Sequence, residues 1–213
     1  EEEDSDRRNE LVHGLTKAVQ FSGQAQTPSG GWGYVSARDG NNFDEGSTTI
    51  TQGQGLRGCR NAGIVVPVEI IERAKQYIYD CKNEDGGISY SFRNRGSSRE
   101  AITAAALAAL FNAGDYACQH GPAMKKYCKE KLYDLKRSQS YGHWHYTYLS
   151  YSQVVYREGG ELWRTFRDNL YATIIDEQGR DGSWSGNIGP IYVTALNLTM
   201  LQLENGYLPI YQR

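Results

Sequence analysis

Asn83-Glu84-Asp85-Gly86-Gly87-Ile88-Ser89-Tyr90, then Ser97-Ser98-Arg99-Glu100, then the run Ala101 to Ala113 closed by Gly114, is the stretch on which the fold turns. An acidic turn with two glycines permits a positive φ, and the large side chain after it can plug the space between helices. Ser97 or Ser98 is expected to cap the following helix and Gly114 to end it. The helix between them is so poor in polar residues that it must be buried on most sides.

The same pattern recurs along the chain. Gly30-Gly31-Trp32-Gly33-Tyr34, Gly86-Gly87-Ile88-Ser89-Tyr90 and Gly142-His143-Trp144-His145-Tyr146 share a turn signature, with Asp181-Gly182-Ser183-Trp184-Ser185 as a looser copy. Aligned on Gly31, Gly87, His143 and Ser183, the copies are spaced 56, 56 and 40 residues apart, a period typical of helical repeats. Asn61-Ala62-Gly63 returns as Asn112-Ala113-Gly114, and Thr103-Ala104 is echoed by Thr194-Ala195.

Amphipathic segments lie between the buried ones. In Val68 to Lys82, residues Ile70, Ile71, Ala74, Tyr77, Ile78 and Cys81 form one stripe, and Pro67 suits a first helical turn. The order is therefore outer helix, glycine-aromatic turn, buried inner helix, with no strand-like runs. The expected fold is all-α: tandem helical hairpins forming an arc or partial α/α toroid, with about eight main helices. Helices are expected at 9–22, 47–63, 68–82, 98–114, 121–138, 146–158, 161–177 and 190–204. Residues 1–8 read as an acidic tail, 9–206 as one repeat domain and 207–213 as a tail packing on it. Ala104, Leu107, Leu110, Leu198 and Leu201 are expected in the core.

Net charge is -2, which gives no electrostatic case for nucleic acid or an anionic membrane. No apolar run approaches the roughly 20 residues that cross a bilayer, so the chain reads as not transmembrane. The opening Glu1-Glu2-Glu3-Asp4 carries no signal-peptide pattern. It leaves two locations open: cytoplasmic, or exported after loss of an upstream signal. Cys59, Cys81, Cys118 and Cys128 form no CxxC pair and read as buried free thiols.

The Gly-Gly-Trp-Gly-Tyr, Asp-Gly-Gly-Ile-Ser-Tyr and Asp-Gly-Ser-Trp turns, with the Thr-Ala inner helices, resemble the squalene cyclase and prenyltransferase β-subunit superfamily. The run Ile188 to Ala195 and the ending Tyr207 to Arg213 look like uncharacterised bacterial members, planctomycete ones among them. The resemblance implies a double ring of helices, with parallel inner helices aiming their N-terminal ends at a central cavity. It also implies that a closed ring needs more than the hairpins counted here. The chain lacks the Asp-x-Asp-Asp acid of triterpene cyclases, the zinc ligands of prenyltransferases and the Cys-Gly-Glu-Gln of thioester-forming relatives.

His143 and His145 are the candidate catalytic residues, since two imidazoles flanking Trp144 suit acid-base work, but no third ligand is spaced to complete a metal site. No metal and no cofactor are expected. Asp85 and Asp181 read as turn caps. Gly53-Gln54-Gly55-Leu56-Arg57-Gly58 matches a dinucleotide fingerprint but follows no strand, and its glycines are expected to allow close helix packing. Asn197-Leu198-Thr199 falls inside a buried helix and is discounted as a glycosylation site. Tyr146, Tyr148, Tyr151, Trp184 and Tyr192 are the expected cavity-lining residues, able to stabilise a cation or stack on a sugar. The resulting expectation is a non-catalytic or degenerate repeat domain, a binding or scaffold subunit whose open edge is covered by a protein partner or second copy. The alternative is an enzyme acting on an isoprenoid or other apolar small molecule.

Overall fold

The computed structural model describes residues 2–135 and 143–207. Among these are eight α-helices: α1 (Ser5–Ala25), α2 (Gly46–Asn61), α3 (Val68–Asp80), α4 (Glu100–Asn112), α5 (Gly121–Leu132), α6 (Trp144–Glu158), α7 (Gly160–Asp176) and α8 (Pro190–Leu201). The extended pairings among the described residues are two isolated bridges, Trp32 with Glu45 and Lys82 with Ile88. The fold is all-α.

Even-numbered helices form an inner row, in which α2 packs on α4, α4 on α6 and α6 on α8. The others lie outside it, with α1 and α3 on α2, α5 on α4, and α7 on α6. Helix α4 sits at the middle, and Ile102 through Asn112 are all buried. A helix with apolar neighbours on every side has no use for a polar face, hence its Ala/Leu composition.

Three turns are built alike. Thr27, Asn83 and Gly179 donate their N–H to the carbonyls of Gly31, Gly87 and Ser183. Gly30, Gly86 and Gly182 return an N–H to the carbonyls of Thr27, Asn83 and Gly179, at φ of 93°, 88° and 81°. The next residue points its N–H at a threonine on the inner helix: Trp32 to Thr49, Ile88 to Thr103 and Trp184 to Thr194, at 3.0, 2.8 and 3.0 Å. Each threonine satisfies a buried donor that the turn would otherwise orphan. Asp85 and Asp181 accept from the N–H of Gly87 and Ser183, as expected of turn caps.

Several expectations change. Helix α1 starts at Ser5, because Asp4 caps it by accepting from the N–H of Asp6 and Arg7. Half of the supposed acidic tail, Ser5 to Arg8, is therefore helical. Ser98 does not cap α4; its hydroxyl bonds Asp85 and Asn83 instead. In the third copy Trp144 and Tyr146 stand on α6, so Trp144 does not follow a turn as a plug, and Gly142 lies outside the described residues. Ala104, Leu107 and Leu110 are fully buried, but Leu198 is 43% exposed and Leu201 partly so. Helix α8 ends the row with one inner neighbour, so Val193, Asn197 and Met200 take its buried face. Gly53 and Gly55 of α2 are not packing contacts: a Cβ on either would meet nothing within 4 Å.

All four cysteines are free, and three are buried. Asn197 is buried, which suits its dismissal as a glycan acceptor. No helix among the described residues is long and apolar enough to cross a membrane. Of the expected tail, Tyr207 is exposed and 208–213 lie outside the described residues. The expected reach of α5 to residue 138 also falls partly outside them.

Candidate functional site

The N-terminal ends of all four inner helices meet at one cavity of about 620 Å³. Helix α2 contributes Ser47 and Thr51, α4 contributes Glu100, Ala101 and Ile102 after Arg99, α6 contributes Tyr146 after His143, and α8 contributes Tyr192. Tyr34 and Tyr90 reach in from the loops after the first two turns. The turn-to-threonine bond fixes where an inner helix begins, so the repeat itself brings these ends together.

Glu45 is fully buried beside this cavity. As the N-cap of α2 it accepts from the N–H of Ser47 at 2.8 Å and of Thr48 at 2.5 Å, and from both hydroxyls. A carboxylate so placed is held by four donors and by the positive end of the helix dipole. It acts outward on two phenols. Burial, the Tyr34 hydroxyl and Glu45 push Tyr90 up to about 12. Burial and then Glu45 raise Tyr146 as well. Burial raises Tyr192. All three are therefore neutral donors near pH 7. The Arg99 guanidinium lies 5.2 Å from the centre of the Tyr90 ring, within cation–π range. The Tyr146 hydroxyl is buried without a hydrogen-bond partner among the described residues, an unusual cost for a protein to carry.

Of the residues expected at a cavity, His143, Tyr146 and Tyr192 line it. The other four do not. Tyr148 is buried between helices, its hydroxyl donating to the Leu132 carbonyl at 3.2 Å. Tyr151 is buried edge-on to Phe166, with ring centres 5.2 Å apart. Trp184 is core, its indole N–H donating to the Ile174 carbonyl at 2.7 Å, just as Trp32 donates to Ser22 at 2.8 Å. His145 packs edge-on against Trp144 and beside Gly186. So one of the two histidines reaches the cavity. Among the described residues no three His, Cys, Asp or Glu side chains come together to hold a metal ion.

Tyr34, Tyr90, Arg99 and Glu100 belong to the site and were not singled out for it. Tyr34 and Tyr90 carried a signal, each standing two residues past a plugging side chain. Arg99 and Glu100 carried only their place at a helix start. The lining as a whole brings phenols, one guanidinium, one carboxylate and one imidazole together around a space whose walls are otherwise largely apolar, an arrangement suited to binding. No family model matches the chain, and comparison with curated proteins finds no match.

Proposed function

We propose that this protein is a non-catalytic helical-repeat binding domain that works as a subunit of an assembly, its last turn docking the first helix of a second copy. The observation that carries this reading is a turn left uncovered among the described residues. Over the first turn sits α3: a Cβ on Gly31 would strike the Tyr77 ring, and one on Gly30 the Arg73 backbone. Over the second sits α5 in the same way, with Tyr127 against Gly87 and Ala123 against Gly86. Over the last turn, a Cβ on Gly182 would meet only Gln178 Nε2, at 4.0 Å.

Helix α1 offers what that turn lacks. Phe21 stands the same distance ahead of Gly30 as Tyr77 stands ahead of Gly86, yet it is 57% exposed. Leu11, Val12 and Leu15 are exposed on the same helix. The opposite edge exposes Ile188, Ile191 at 87%, and Leu198. Two apolar edges of this kind are seldom left bare in a monomer. Joining them continues both the outer and the inner row, a head-to-tail contact that closes into a ring or extends. The turn motifs and parallel inner row support reading the chain as a degenerate relative of the cyclase and prenyltransferase repeats.

The test is light scattering across a micromolar concentration series. Phe21→Asp and Ile191→Asp should each lower the mass found for the wild type, because each breaks one half of the same contact. A monomer at every concentration, with no binding of a hydrophobic dye, refutes the reading. A second reading, an enzyme with an apolar substrate in the cavity, has the four converging N-termini in its favour. The phenols, Arg99, Glu100 and His143 of the lining favour a polar ligand over an isoprenoid.

A further inference from the structure

The inner helices α2 and α4 can be superposed in register through Thr49 and Thr103, which both accept a turn N–H and bond back to the carbonyl four residues earlier. In that register Leu56 of α2 matches Leu110 of α4, both buried. One turn after the threonine, however, α4 places Leu107 in the core where α2 has Gly53. A cavity of about 380 Å³ opens there, between α2, α3 and α4. Its size falls within the range of about 300–1,000 Å³ that holds small ligands.

The walls are apolar: Leu56, Ile64, Ile71, Ile78 and Leu110 all face it. Its lip is apolar too, since Val65 of the loop into α3 and Val68 at the start of α3 are exposed. The charges at the rim are unequal. Lys75 is already committed to Glu72 and Asp115, at 3.2 and 3.1 Å. Arg57 and Arg60 line the same cavity, and their guanidiniums have no ion pair or hydrogen bond among the described residues. Two unpaired guanidiniums at the mouth of an apolar chamber match a ligand with a hydrocarbon body and an anionic end.

We propose that this chamber binds a medium-chain acyl carboxylate, its chain filling the space vacated at Gly53 and its head group held by Arg57 and Arg60. The site is separate from the cavity at the inner-helix N-termini and does not depend on assembly. Because Gly53 is a helical residue with open space around its Cβ, a larger side chain fits without strain.

Decanoate and decanol, titrated into the full chain by calorimetry, provide the test. Wild-type protein should bind decanoate more tightly than decanol. Gly53→Leu, which restores the side chain found at the matching place in α4, should abolish binding of both while keeping the helical circular dichroism. Arg57→Gln with Arg60→Gln should weaken decanoate by about tenfold and leave decanol unchanged, as expected for losing charged hydrogen bonds. The double variant changes only the rim, so it keeps the test free of any packing fault in Gly53→Leu. No decanoate binding by the wild type, undiminished binding by Gly53→Leu, or an equal effect of the arginine changes on both ligands would each overturn the proposal.

Discussion

Replacing the turn glycines by alanine measures how well each turn is covered. At Gly86 φ is 88°, a region that costs an L-residue about 1–2 kcal/mol. The new Cβ would also lie 2.6 Å from the Ala123 carbonyl oxygen and 2.9 Å from its carbon. Those are backbone atoms of α5, which must move as a body, and overpacking of this kind adds about 1–3 kcal/mol. Gly86→Ala should therefore lose about 2–5 kcal/mol in all. Gly182 has a similar φ of 81°, but its nearest atom is 4.0 Å away, so only the backbone term of about 1–2 kcal/mol remains. The difference, about 1–3 kcal/mol, is the contribution of the covering helix. Urea unfolding of dilute protein reads it directly. Gly30→Ala, with Arg73 backbone over it, should behave like Gly86→Ala. At concentrations where copies associate, the Gly182→Ala penalty should grow toward that of Gly86→Ala, because assembly then places a helix over the turn. Equal losses at Gly86 and Gly182 in the dilute protein would refute the claim that the last turn is bare.

Leu107→Ala should cost about 2–5 kcal/mol in urea unfolding, as a fully buried side chain at the middle of the inner row, and a loss under about 0.5 kcal/mol would contradict that position. Thr103→Val should cost about 1–3 kcal/mol, because the buried Ile88 N–H loses its acceptor at 2.8 Å, and Thr194→Val should act likewise on Trp184. Asp85 is held below the usual carboxylate range by the Ser98 hydroxyl, against a smaller opposing effect of burial, and by the Gly87 N–H. Its stabilisation is therefore present above the unfolded carboxylate pKa of about 3.9 and fades as pH falls through the lower folded value, so Asp85→Asn should flatten the acid limb of a stability-pH profile and leave its neutral-to-alkaline shape unchanged.

The helices were legible because their signals are local. Turn glycines, the Ala101 to Ala113 run and the stripe of α3 each lie within one element, and no long-range information is needed to read them. Register was harder. Gly142 to Tyr146 imitates the composition of the other turns, yet Trp144 and Tyr146 stand on α6. The dependable marker is the threonine of the inner helix, Thr49, Thr103 and Thr194, since it must meet the buried N–H of the plugging residue. A threonine reads as ordinary in sequence, whereas tryptophan draws notice. The cavity residues failed for a related reason. Tyr146, Tyr148 and Tyr151 share one helix but not one face; only the first lies at the helix start where the four inner ends converge, while the other two turn toward Leu132 and Phe166. Which of them shares the cavity depends on elements far away in sequence, the loops and helix start that carry Tyr34, Tyr90 and Arg99. The same limit explains Leu198: its helix has the composition of α4, but the composition answers to burial on all sides, and α8 has a neighbour on one side only. In the assembly proposed above, that exposed face of α8, with Ile191 and Leu198 on it, is where a second copy would extend the row.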